Sequence, residues 1–319
     1  MTSATVAIIG TRYSDFGVEH ETLGDLGVEI VSGAGRTPEE ILGLAADADV
    51  ILAGAAPRFD ATTIAGLRCK GIVRYGVGVD SIDLAAAAAA GIWVANTPDY
   101  GTEAVAVHTL ALVLAGIRRL PMAERRLRRG DWGFAELRPL RLPGSMTAGV
   151  VGFGRIGRRV GQLLTAVGFG RVLVNDPILD DERQQAGVVP LETLLATADV
   201  VTLHVPGDID PLIGSAELAL MRPGSVLVNT ARGSLIDTGA LIDALAKGRP
   251  AIAALDVYPE EPPPTDRFSS EQLILTPHMA WYTEETELEM RRQAAAEARR
   301  LLQGLPLANP VVPAKVEAR

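Results

Sequence analysis

Three short segments of this chain hold polar residues placed for chemistry, each directly after an apolar run. They are Val228-Asn229-Thr230-Ala231-Arg232-Gly233, Leu255-Asp256-Val257-Tyr258-Pro259-Glu260-Glu261-Pro262 and Thr276-Pro277-His278-Met279-Ala280-Trp281. An arginine just past a strand can clamp a carboxylate with two parallel hydrogen bonds. A histidine can give or take a proton near neutral pH. A neighbouring carboxylate can orient that ring and favour its charged form. The set would suit a reaction that builds negative charge on oxygen, such as reduction of a ketone by hydride transfer. Each residue alone has a bland reading: a surface arginine, a satisfied strand-end histidine, an exposed Glu-Glu-Pro-Pro loop.

What joins them is a motif upstream. Gly152-Phe153-Gly154-Arg155-Ile156-Gly157 is a GxGxxG sequence. An apolar strand, Ala148–Val151, precedes it, and a helical pattern from Arg158 follows. The first glycine permits a tight turn, the second lets a pyrophosphate approach the backbone, and the third lets helix and strand pack closely. The helix N-terminus then presents N–H groups to the anion. Asp176 ends the next strand, where an acid can accept from ribose hydroxyls and repel a 2′-phosphate, so NAD is expected over NADP. Arg155, inside the loop, can pair with the pyrophosphate or stand as a solvated charge.

These residues need a scaffold, and the rhythm of the chain supplies one. β-branched runs alternate with helical patterns throughout, which implies parallel sheets covered on both faces. The first series of strands is Val6–Gly10, Val28–Val31, Val50–Ala53, Ile72–Tyr75 and Trp93–Ala95. The second runs through Ala148–Gly152, Arg171–Asn175, Val200–His204, Ser225–Asn229, Ala251–Asp256 and Leu273–Thr276. Between the two lies a long helix, about Gly101 to Leu120, and an Arg-rich stretch, Arg118–Arg141. The last helix, Glu284–Leu302, is amphipathic and is expected to return to the first sheet. The fold expected is α/β: two doubly wound parallel-sheet domains, a Rossmann NAD-binding domain inserted into a flavodoxin-like substrate domain. The boundaries are 1–98 plus 285–319 for the substrate domain and 99–284 for the NAD-binding domain.

Composition narrows the partners. A chain of 319 residues has room for about two domains. Its net charge of −9 disfavours a nucleic-acid backbone as partner. The single cysteine, Cys69, excludes an internal disulfide and a CxxC site, and reads as a buried thiol. No metal site is read. Met1–Gly10 has no basic stretch or signal-length apolar run. The longest apolar stretch, Ala104–Ile117, contains His108 and falls short of the roughly 20 residues a membrane span needs. A cytoplasmic protein with no membrane partner is expected.

The motifs quoted above resemble those of the D-isomer-specific 2-hydroxyacid dehydrogenases, over about Gly71 to Leu302. The resemblance implies a small 2-oxo or 2-hydroxy acid as substrate and NAD as cofactor, in a cleft between the domains. It implies Arg232, Glu261 and His278 as the catalytic set, with Glu260 as the fallback for the glutamate. Around the cofactor it implies Gly152, Gly154, Arg155, Ile156, Gly157, Asp176, His204-Val205-Pro206, Thr230, Ala231, Arg232, Asp256 and His278, with Asp256 on the nicotinamide side. For the substrate, Tyr75-Gly76-Val77-Gly78-Val79-Asp80 resembles the family's carboxylate loop. Val77 and Gly78 would offer backbone N–H groups there, helped by Arg74, alongside Arg232 and His278.

Pro277-His278-Met279-Ala280-Trp281-Tyr282 is similar to a segment of the carboxy-terminal binding proteins, NAD-sensing corepressors. That likeness implies Trp281 in the substrate pocket, against the bland reading of an aromatic at a domain edge, and raises an NAD(H)-sensing binding protein as an alternative to an enzyme. Val107 departs from the family, which commonly has Glu before the following histidine, here His108. The family's dimer arm corresponds to about Gly101–Leu142, so a homodimer is expected and the basic stretch Arg118–Arg141 becomes its solvated face. Arg58 and Phe59 read as a surface loop, with a place near the cleft as the alternative.

Overall fold

Short runs rich in Val, Ile, Leu and Ala form the strands of the computed structural model, which describes residues 3–179, 187–207, 211–264 and 266–311. Parts of the expected domain segments, at 1–2, 180–186, 208–210, 265 and 312–319, lie outside the described residues. The chain divides into two units, Met1–Gly101 with Thr283–Arg319, and Thr102–Tyr282.

The first unit holds β1 (Thr5–Ile9), β2 (Glu29–Gly33), β3 (Val50–Ala53), β4 (Gly71–Arg74) and β5 (Trp93–Ala95). All pairings are parallel, in the order β2-β1-β3-β4-β5. This is the flavodoxin-like order, with its switch point between β1 and β3. All four residues of β3 are buried, as in a parallel strand covered on both faces. Helices α1 (Gly17–Leu23), α2 (Pro38–Ala45), α3 (Ala61–Ala65) and α4 (Leu84–Ala89) join the strands. Thr37, Asp60 and Asp83 cap the last three, each side chain accepting a first-turn N–H. Ile41, Ala45, Ile64 and Ala87 from these helices pack with Ala7, Ile9, Ile51 and Ile72 of the sheet. Phe59, expected on a surface loop, is fully buried in that same core.

The other face is closed by the last helix, Glu284–Gln303, with α1 beside it. Thr283 and Thr286 cap it reciprocally, three glutamates occupy its first turn, and Gly304 ends it in the left-handed conformation. A Cβ on Gly71 would stand 2.7 Å from a Leu301 methyl and 2.9 Å from the Trp93 carbonyl, so only glycine lets the helix lie this close to β4. A buried ion pair secures the helix. Arg291 donates from Nε and Nη2 to the two oxygens of Glu19, at 3.0 and 2.7 Å. Tyr75 donates to the same carboxylate at 2.8 Å, and Arg291 stacks 4.5 Å over the Tyr13 ring. Burial, then the charge of Glu19, drives the Tyr75 phenol well above its ordinary value.

The second unit opens with α5 (Thr102–Ile117) and α6 (Leu120–Arg128). The single helix expected to Leu120 is therefore two. Arg119 turns left-handed (φ 52°), and Pro121 has no N–H with which to continue α5. Then come β6 (Thr147–Val151), α7 (Arg155–Val167), β7 (Arg171–Asn175), α8 (Leu191–Thr197), β8 (Val200–Leu203), α9 (Ser215–Leu220), β9 (Val226–Asn229), α10 (Thr238–Ala246), β10 (Ile252–Leu255) and β11 (Leu273–Leu275). The last helix of the chain is α11. The strands lie in the order β11-β10-β9-β8-β6-β7. A parallel bridge from Val174 to Val188 marks a rudimentary further strand beyond β7. Counted from β6, this is the dinucleotide-binding order extended by one strand. Helices α5 and α7 pack on one face, with α8, α9 and α10 on the other. Among the described residues no single helix is long and apolar enough to cross a membrane; α5 and α6 reach that length only together, bent by 57°.

Candidate active site

Four parallel strands of the second unit, β8 to β11, end in polar segments at one edge of the sheet, where such folds bind ligands. His278 lies three residues past β11 and adopts φ 52°, one of only two non-glycine residues with positive φ among those described. Such a conformation persists only where its surroundings enforce it, and it clusters at functional sites. The His278 Nδ1 stands 2.6 Å from Glu261 Oε2. The other Glu261 oxygen accepts the Tyr258 N–H at 3.1 Å. Burial works against the Glu261 carboxylate. The hydrogen bond and charge of His278, the Tyr258 N–H and the charge of Arg232 outweigh it and hold Glu261 below the usual glutamate range. With Nδ1 engaged by the carboxylate, Nε2 is the nitrogen left for a substrate proton. Glu260 makes no such contact.

Arg232 leaves β9 on a bracketed loop. The Asn229 amide donates to the Arg232 carbonyl at 2.7 Å and its oxygen accepts the Ala231 N–H at 3.0 Å. The aliphatic part of Arg232 lies on Gly207, where a Cβ would stand 2.3 Å from Arg232 Cγ. Gly233 presses against the Tyr258–Pro259 peptide, 1.9 Å from a notional Cβ to Tyr258 C. That contact brings the Arg232 and Glu261 segments together. Thr230, in the same loop, is buried and shares a 2.8 Å hydroxyl contact with Thr109 of α5.

The glycine loop follows β6 directly. Gly152 (φ 86°) rests on His204, whose carbonyl carbon would lie 2.7 Å from a Cβ, and a Cβ on Gly157 would reach the Gly152 carbonyl at 2.0 Å. Gly154 caps α7, and nothing lies within 4 Å of where its Cβ would stand. Close packing at the outer glycines with open space at the middle one is what a pyrophosphate cradle requires. Asp176 accepts the Phe153 N–H at 2.7 Å and the Ile178 N–H at 2.9 Å, which leaves each oxygen a further acceptor site for a ribose hydroxyl. His204 meets Thr202 Oγ1 at 3.0 Å, and burial of its ring lowers its pKa to about 3, so it stays neutral. Val205 and Pro206 follow it at the end of β8.

Comparison with known proteins gives this geometry a family. A profile described as "D-isomer specific 2-hydroxyacid dehydrogenase, NAD binding domain" matches residues 110–280. The chain is 36% identical over 312 residues to D-3-phosphoglycerate dehydrogenase of Archaeoglobus fulgidus, covering 95% of this chain and 58% of that one. It is 36% identical to glyoxylate reductase of Aeropyrum pernix, with 83% of each covered. The chain belongs to the D-isomer-specific 2-hydroxyacid dehydrogenases.

Among solved structures, D-lactate dehydrogenase of Aquifex aeolicus, complexed with NAD and lactic acid, matches with TM-score 0.85 at 29% identity, covering 97% of this chain and all of that one. The chain spans little more than half the length of the D-3-phosphoglycerate dehydrogenases it matches. The finer likeness to carboxy-terminal binding proteins is corrected: whole-chain similarity runs to dehydrogenases and reductases, and the Trp281 segment alone suggested the corepressors.

Asp256, expected on the nicotinamide side, is fully buried, and its carboxylate accepts from Thr276, Met279 and Ala280 of its own unit. Trp281 packs edge-on against Tyr282, with ring centroids 5.6 Å apart. Arg155 and Ile156 open α7, and the expected substrate-loop residues lie in the first unit. Thr97 accepts the Gly76 N–H at 2.8 Å, and Asn96 donates to the Val77 carbonyl at 2.7 Å. Arg74 reaches over Gly76. These bonds fix the loop that carries the Val77 and Gly78 N–H groups. Sequence reasoning missed Asn229, Gly207 and Thr276 as supports. Asn229 and Thr276 stood in quoted motifs, but Gly207 carried no local signal.

Proposed function

We propose that the chain is an NAD-dependent D-2-hydroxyacid dehydrogenase that interconverts a small 2-oxo acid and its D-2-hydroxy acid. The observation that carries this reading is the 2.6 Å contact of His278 with Glu261 in the unit that holds the glycine loop. NADH held on the glycine loop supplies the hydride, and NAD⁺ takes it back in reverse. In the reductive direction His278 Nε2 gives a proton to the carbonyl oxygen, and Glu261 keeps the ring charged and oriented. Arg232 clamps the carboxylate and polarises the carbonyl. Val77 and Gly78 offer it N–H groups, and Arg74 and Trp281 complete the substrate surroundings. Gly152, Gly154, Arg155, Ile156, Gly157 and Asp176 hold the dinucleotide, with Val205, Pro206, Thr230 and Ala231 along it.

The working form we propose is a homodimer through residues 101–142. Trp132 (90% exposed), Phe134, Leu127 and Leu142 leave apolar surface bare on this arm.

The test is NADH oxidation with a panel of glyoxylate, pyruvate and 4-methylthio-2-oxobutyrate. Turnover of at least one acid, with product of D configuration, is expected. Tight NADH binding with no rate on any of them would sink the reading and favour a sensor.

A further inference from the structure

The segment that carries His278 is held by one buried residue. Asp256 Oδ1 accepts the Thr276 hydroxyl at 2.5 Å and the Met279 N–H at 2.9 Å, and Oδ2 accepts the Ala280 N–H at 2.9 Å. The Asp256 carbonyl accepts the His278 N–H at 2.8 Å. Three consecutive N–H groups, 278 to 280, thus converge on Asp256, and the left-handed turn at His278 is the conformation that lets them. A buried carboxylate needs every donor it can gather.

Helix α5 brings one more. His108 Nε2 lies 3.1 Å from Thr276 Oγ1 and 3.7 Å from Asp256 Oδ1, with its side chain only 19% exposed. Counting protons sets the direction. Thr276 has one hydroxyl hydrogen, and at 2.5 Å that hydrogen goes to Asp256. Its oxygen must then accept from His108, so His108 Nε2 carries a hydrogen. The hydroxyl and the carboxylate are both drawn toward α5 by this single donor.

We propose that His108 is a positioning residue for the reaction. Through Thr276 and Asp256 it holds residues 276–280 so that the His278 ring stays on Glu261. This rests on the reading of His278 as proton donor; His108 itself touches no reacting atom.

The experiment compares His108→Leu, which removes the donor, with His108→Gln, whose amide keeps an N–H at similar reach, in the full chain. Loss of one hydrogen bond to a charged network corresponds to about a tenfold fall in kcat for His108→Leu. KM for the 2-oxo acid, NADH affinity and Tm stay near the parent's, and His108→Gln regains most of the rate.

A second readout needs no turnover. The chain has four histidines, so the His278 ring signals can be followed by NMR. In the parent the ring N–H shared with the Glu261 carboxylate at 2.6 Å should stand at low field; in His108→Leu it should move upfield or broaden as the ring drifts from Glu261, and in His108→Gln it should not. An unmoved His278 N–H signal in His108→Leu overturns the proposal. So does an equal loss of rate in both variants that tracks Tm. If the parent reduces no 2-oxo acid, the functional reading fails, while the His278 N–H signal still decides the positioning claim.

Discussion

Two carboxylate pairs in this molecule, one with an imidazole and one with a guanidinium, use similar contacts for opposite ends. Glu261 and His278 are 17 residues apart, 2.6 Å in contact, and 38% and 45% exposed at their side chains. Glu19 and Arg291 are 272 residues apart, 2.7 Å in contact, and 0% and 8% exposed. In the buried pair nearly every polar site is satisfied by Tyr75, the Asp15 carbonyl and the partner itself. In the exposed pair one imidazole nitrogen is left over. A pair closed on all sides holds structure together, and a pair with one open position can hand over a proton.

Several measurements would sharpen or break this contrast. The largest effect is expected for His278→Ala: kcat should fall about a hundredfold to ten-thousandfold with NADH affinity and Tm nearly unchanged. Retention of full activity would remove His278 from its role. Next, Glu19→Leu strands a buried guanidinium and should cost about 3–5 kcal/mol in urea denaturation, while the kcat of the folded protein is kept. The double variant Glu19→Leu with Arg291→Met should recover at least half of that loss. If it does not, the pair is more than a mutual neutralisation.

The pH dependence of Glu261 is smaller. Its folded pKa is depressed, so its contribution to stability is present above the unfolded value and is lost as pH falls through the folded one. Comparing Tm of the parent and Glu261→Gln between neutral and acid pH, the gap should narrow on acidification. A constant gap would show that the carboxylate does not gain from its partners. The smallest effect is expected at Cys69, where burial pushes the thiol up to about 12. It should resist a thiol reagent at pH 8 until the protein is unfolded, and rapid labelling would contradict its burial.

The same contrast separates what could be read in the sequence from what could not. Strands β3, β8 and β9 stood out because doubly covered parallel strands are continuous apolar runs. Arg232, Glu261 and His278 stood out because each follows such a run within a few residues. Glu261 could be told from Glu260 only through the family motif, since the two are neighbours in one loop between Pro259 and Pro262. Glu19 sits among His20, Glu21 and Thr22 and reads as surface. Its burial depends on a helix made from the far end of the chain, and no local periodicity carries that. The break at Arg119 was blurred by apolar periodicity running up to the proline. The donors that Asp256 gathers carried no local signal, since Thr276, Met279 and Ala280 come from a segment that follows it by twenty residues or more.

The return of α11 to the first sheet has a consequence for synthesis. A ribosome releases β1 to β5 and then the entire inserted unit before the helix that shields β3 and β4 exists. The inserted unit holds all its strands in one uninterrupted stretch and can mature while the earlier sheet waits half-clothed. Apolar side chains of that waiting sheet are then a natural foothold for a chaperone, and nascent chains stalled before residue 284 should be the ones it retains.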